Sequence, residues 1–149
     1  MKVKIKLDEQ CEETTIVIVT KTMTDEINEL VSRLQMTQNQ HSDLFVGFKD
    51  GNASVVHVQK IVRIYATNQK VYFVTEHGEY MARLRLYEFE ERLSQRTFVR
   101  ISNSEIINLQ KVRDFDLSFS GSICVRFIDG STTYVSRRYV KKIKSVLGM

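Results

Sequence analysis

The hydrophobic period of this chain changes at Leu44, and that change constrains its fold more than any other feature. Before it, Ile27, Leu30, Val31 and Leu34 fall at i, i+3, i+4 and i+7, one apolar face of a helix. Thr24 is placed as its N-cap, with Asp25 and Glu26 at the positive end of the dipole. After it, apolar residues recur about every second position, the period of a half-buried strand. LFVGFK and ASVVHV flank Asp50-Gly51-Asn52, a hairpin signal, because Gly accepts the positive φ of a tight turn. Residues 61–75 read as two strands around Thr67-Asn68-Gln69, and His77-Gly78 turns the chain into EYMARL. A short helix follows, with Leu86, Phe89 and Leu93 on one face and Glu88, Glu90 and Glu91 outward.

FVRISNSEIINL (98–109) comes next, then Phe115, Leu117 and Phe119 alternating up to Ser120-Gly121. Ile123, Val125 and Phe127 alternate up to Asp129-Gly130, with Cys124 between them alternating with the apolar face, where a half-exposed strand residue is one reading, and Thr132–Val135 is a last strand. Ser136 caps a closing helix that buries Val140, Ile143 and Leu147. The head, 1–43, reads as strand, strand, helix: Val3, Ile5 and Leu7 alternate with Lys, and TTIVIVT (14–20) is a β-branched run. The polar stretch 36–43 is the boundary to a body at 44–149. The expected class is α+β, mainly antiparallel β, with a short β-β-α N-terminal head and a C-terminal helix.

Composition narrows the class of function. With no proline and six glycines there is no long semi-rigid linker. No apolar run approaches ~18 residues, and Lys2, Lys4 and Lys6 have no apolar stretch of a secretory signal behind them. Cys11 and Cys124 are too few for a disulfide framework and fit a reducing cytosol, so a cytoplasmic protein is expected. The formal net charge of +4 is uninformative as a total. Split by position, 1–43 holds five bases against eight acids, or −3, and 44–149 carries +7. An acidic head and a basic body suggest an anionic partner for the body.

Two segments concentrate that chemistry. In SRRYVKKIK (136–144), Arg137 and Arg138 stand in the first helical turn, where the dipole disfavours positive charge by roughly 0.3–1 kcal/mol each. An anion at the helix start gives that placement a purpose. Lys141, Lys142 and Lys144 continue the basic surface; a plain solvated face is the alternative. The second segment, Arg100-Ile101-Ser102-Asn103-Ser104, sets a base, an amide and two hydroxyls between apolar runs. Such groups bind phosphates or base edges, and they also cap turns. The turn Thr67-Asn68-Gln69-Lys70 is a polar hairpin tip.

Catalysis finds no support. His41, His57 and His77 are scattered, and no ligand spacing for a metal and no Gly-rich phosphate loop appears. No catalytic residue, metal, cofactor or small-molecule substrate is expected.

Residues 98–109 with Val112, and Gly130 followed by Val135-Ser136-Arg137-Arg138-Tyr139 and Val140-Lys141-Lys142-Ile143, resemble the LytTR-type DNA-binding domain of bacterial regulators. Ile61-Val62-Arg63-Ile64-Tyr65 and the helix over 86–93 fall in the expected order. The resemblance implies a mainly β fold whose loops enter successive major grooves of double-stranded DNA. It implies base contacts from Lys70, where the family often has His, with Asn68 and Gln69 adjacent, and from Asn103 and Arg138. Arg100, Ser104, Ser136 and Lys142 would touch phosphates, with Ser102, Arg137 and Lys141 in support. The head is too short for a receiver domain of about 120 residues, as in the small LytTR regulators with a β-β-α head paired with a restraining membrane protein. The expected protein is a homodimeric transcription regulator whose head dimerises or docks a regulator. The alternative is an interaction module whose basic face meets an acidic partner.

Overall fold

The computed structural model describes residues 1–39, 43–118 and 120–149. Two compact units divide between Gln35 and Met36. Helix α1 spans Asp25–Asn39 and begins in the first unit. The Thr24 hydroxyl accepts from Ile27 N–H at 3.3 Å and the Thr24 carbonyl from Asn28 N–H at 2.9 Å, so Thr24 is the cap its side chain suited it for. Glu29 and Arg33 pair at 2.7 Å one helical turn apart. Ile27, Leu30, Val31 and Leu34 are half-buried.

The two expected head strands do not form. Among the described residues the first strand begins at Leu44. Residues 14–20 carry no ladder, and Val3, Ile5, Leu7, Ile16, Val17 and Val19 are exposed. A turn at Asp8–Cys11 separates the two apolar segments, with Cys11 N–H on Asp8 O at 3.1 Å. The physical reason lies in pairing: a strand exists only against a partner edge, and an isolated two-stranded hairpin is marginal in water.

Among the described residues the body forms ten strands. β1 (Leu44–Lys49), β2 (Asn52–His57), β3 (Ile61–Thr67), β4 (Lys70–Thr75) and β5 (Gly78–Ala82) precede α2 (Leu86–Arg92). β6 (Phe98–Ser102), β7 (Glu105–Asn108), β8 (Val112–Asp116), β9 (Ile123–Phe127) and β10 (Thr132–Val135) lead to α3 (Arg137–Val146). Seven strands pair in the order β2-β1-β5-β4-β3-β7-β6, and three in the order β10-β9-β8, every pairing antiparallel. The hairpin turn Asp50-Gly51 has φ of 52° and 79°, both positive as a tight two-residue turn demands. The expected strand over Phe115 ends at Asp116; Leu117 is exposed, and Phe119 lies outside the described residues, as does His41.

Two cores hold the sheets. In one, Phe45, Ile61, Ile64 and Phe73 pack against Leu86, Phe89 and Leu93, so α2 buries the face its spacing specified. In the other, Val62, Val99, Ile101 and Ile107 of the large sheet meet Ile123, Val125, Phe127 and Val135 of the small sheet and Ile143 of α3. Cys124, which points away from this core between Ile123 and Val125, is nevertheless buried rather than half-exposed. Gly47 sits where a Cβ would lie 2.6 Å from the Phe73 ring and the Tyr80 side chain, so only glycine lets β1 approach them. Asn108 is fully buried; its amide donates to Ile61 O at 2.8 Å and its Oδ1 accepts from Gln110 N–H at 2.9 Å.

Candidate nucleic-acid interface

Three segments far apart in sequence meet at one edge of the body. The first is the β3–β4 tip. Asn68 and Gln69 both have positive φ, 50° and 63°, the geometry of the two-residue turn that fits strand twist. Asn tolerates that region; Gln rarely does. Thr67 pairs Lys70 across the tip, leaving Asn68, Gln69 and Lys70 exposed.

The second is the turn between β6 and β7. The Ser102 hydroxyl accepts from Ser104 N–H at 3.2 Å and lies 3.4 Å from the Ser104 hydroxyl, which closes the turn and leaves Asn103 exposed at its crest. Arg100 braces it from behind. Its guanidinium donates to Ser102 O at 3.0 Å, to Asn103 O, and to Glu90 of α2 at 2.6 Å. The side chain is 18 % exposed, so this base is committed to the protein.

The third is the start of α3. Ser136 occupies the cap position with extended φ and ψ, and its side chain makes no capping bond. Its carbonyl accepts from Tyr139 N–H at 2.9 Å. Arg137, Arg138, Lys141, Lys142 and Lys144 are exposed, with no acid in the first turn.

Hydrogen bonds tie the three together. Ala66 N–H at the β3–β4 hairpin donates to Ser104 O at 2.8 Å, and Ser136 N–H at the helix start donates to Ile101 O at 2.9 Å. Tyr139 OH donates to Asn103 Oδ1 at 3.1 Å, and Lys142 Nζ stands 5.9 Å from the Tyr139 ring centroid. The bond engages Asn103 Oδ1 and leaves its amide N–H donors to other acceptors. Glu105, directly after the turn, is buried and meets Arg63 of β3 at 3.3 Å and the Thr133 hydroxyl of β10 at 2.9 Å. Burial raises its pKa against the opposing pull of Arg63 and Thr133.

The residues the sequence and its family resemblance singled out, Asn68, Gln69, Lys70, Asn103, Arg138 and their basic neighbours, lie exposed on these three segments, but that reading missed Tyr139, Glu90 and Glu105. Nothing in the type or spacing of these three signals contacts that span the fold. The depression lined by Glu90, Leu93, Arg100, Lys142 and Val146 holds about 150 Å³, below the roughly 300–1,000 Å³ of small-molecule pockets. Among the described residues there is no cluster that could hold a metal ion, and no helix long and apolar enough to cross a membrane.

A β body that gathers exposed amides, hydroxyls and bases at one edge presents the groups that suit a nucleic acid's phosphates and base edges. Comparison with known proteins makes this specific. Residues 51–148 match the family model described as LytTr DNA-binding domain. Uncharacterized HTH-type transcriptional regulators of Staphylococcus aureus, from strains bovine RF122 / ET3-1 and MSSA476, are each 30 % identical over 149 residues, covering 100 % of this chain and 99 % of the relative. A solved LytTr DNA-binding domain from Bacillus cereus matches with a TM-score of 0.70 at 20 % identity, over 72 % of this chain and 99 % of that one. The chain belongs to the LytTR DNA-binding domain family, a class of DNA-binding transcription regulators rather than enzymes. Although the relatives are named HTH-type, α2 and α3 here are separated by the five strands β6–β10.

Proposed function

We propose that this chain binds specific sequences of duplex DNA by inserting the β3–β4 tip, the β6–β7 turn and the start of α3 into the major groove. The observation that carries this is the hydrogen-bonded union of those segments at one edge, through Ala66–Ser104, Ser136–Ile101 and Tyr139–Asn103. Lys70, Asn103 and Arg138 read base edges. With its Oδ1 held by Tyr139, Asn103 presents N–H donors, which suit acceptors such as guanine O6 and N7. Ser104, Ser136, Arg137, Lys141 and Lys142 line the phosphates, and the free N–H groups of the α3 start add to them. Arg100 and Ser102 hold the turn in shape.

Selection from random duplex DNA at fixed salt, followed by titration of variants, tests this. Arg138→Ala costs ~1–3 kcal/mol of affinity and relaxes the preference at one base position, and Lys142→Ala weakens all sequences and lowers the salt slope by about 1. Wild-type binding by both variants overturns the site. Equal binding to any polyanion instead supports a basic face that docks an acidic partner.

A further inference from the structure

We propose that the head joins a second copy of this chain by antiparallel pairing of residues 13–21 about a two-fold axis at Val17. The inference stands on the head alone and does not rest on the DNA-binding reading. Residues 14–20 form no ladder, although Ile16, Val17 and Val19 are 66 %, 77 % and 92 % exposed. Unpaired N–H and C=O groups along such an apolar edge are a template for another strand. Its apolar residues lie on both faces: Ile16 and Ile18 on one, Val17 and Val19 on the other.

What identifies the occupant is that the segment matches itself. A two-fold interface sets one patch against its own copy, so the patch must be self-complementary. Thr14-Thr15-Ile16-Val17-Ile18-Val19-Thr20 is close to a palindrome. Antiparallel pairing centred on Val17 sets Thr14 opposite Thr20, Thr15 opposite Val19, and Ile16 opposite Ile18, each twice by symmetry. The same register sets Glu13 opposite Lys21 at both ends, one acid against one base. Cross-strand neighbours of this kind are the unit of sheet stabilisation. An unrelated partner would require neither the palindrome nor the charge match.

Sedimentation equilibrium of the full chain over a concentration series tests the pairing. The wild type is expected near twice the 17.4 kDa chain mass. Val17→Pro combined with Ile18→Pro removes a ladder donor in either hydrogen-bonding register and is expected to sediment as a monomer, with circular dichroism reporting an intact body. Glu13→Lys and Lys21→Glu each create like-charge pairs at both ends and raise the dimer dissociation constant roughly 2- to 30-fold. The double variant E13K/K21E restores wild-type association. A monomeric wild type, a dimer indifferent to the two prolines, or an E13K/K21E variant as weak as the single charge variants overturns the proposal.

Discussion

Arg100 and Lys142 are both basic and line the same depression, yet the fold gives them opposite tasks. Three acceptors, Glu90, Ser102 O and Asn103 O, consume the Arg100 guanidinium, and Lys142 stays exposed over the Tyr139 ring. Arg100→Ala is therefore expected to destabilise the body by about 1–3 kcal/mol, the value of charge-assisted bonds lost in a half-buried site. It should lower DNA affinity through a slack turn, with little change in salt slope. Thermal melts paired with salt-dependent binding check this: an unchanged melting temperature with a slope lowered by about 1 would return Arg100 to the phosphate-contacting set. The family resemblance implied a phosphate contact for Arg100, because a matching motif reports what a side chain can bind and not what it already binds. Tyr139 was unreadable for the same reason, since its hydroxyl reaches a residue 36 positions away.

Elements were more legible than contacts where local pattern and burial agree. Period-2 runs bounded by Asp50-Gly51, Asn68-Gln69 and Gly78 became β1 to β5, because tight turns fix register over short distances. Leu86, Phe89 and Leu93 became the buried face of α2. The head failed the same reading because 3–7 and 14–20 have the composition of strands and no edge to pair with in their own unit. Asn108 marks the opposite case, a polar residue in a strand that is buried throughout. It joins the end of β7 to the start of β3 through Ile61 O and receives Gln110 N–H. Asn108→Ala leaves the Ile61 carbonyl buried without the amide and is expected to cost about 1–3 kcal/mol, the cost of one orphaned group. Urea denaturation measures it; a loss below about 0.5 kcal/mol would show that the junction holds without the amide.

At the scale of the whole body, Glu105 links both sheets, touching Arg63 on β3 and Thr133 on β10 directly behind the Asn103 turn. Its folded pKa is raised above the ordinary 4.5, burial outweighing its partners. The folded state thus holds the proton more tightly than the unfolded chain. Its contribution to stability is full below the unfolded value and is lost as pH rises through the folded one. Relative to Glu105→Gln, which cannot titrate, the wild type should lose stability as pH rises from about 4 towards neutrality. Melting temperatures of both proteins across that range check the sign; a relative gain by the wild type would mean that Arg63 outweighs burial. By itself the sequence determined the mainly antiparallel body, its turns, the buried faces of α2 and α3 and the family, because each is written in short-range period, turn chemistry and motif. It also singled out amides and bases that the fold brings to one exposed edge. Only the tertiary structure decided that the β3–β4 tip, the β6–β7 turn and the start of α3 share that edge, that Arg100 braces and Tyr139 orients, and that 14–20 has no partner within its own unit. Those outcomes depend on which groups meet across long sequence separations, and packing settles that where local pattern does not.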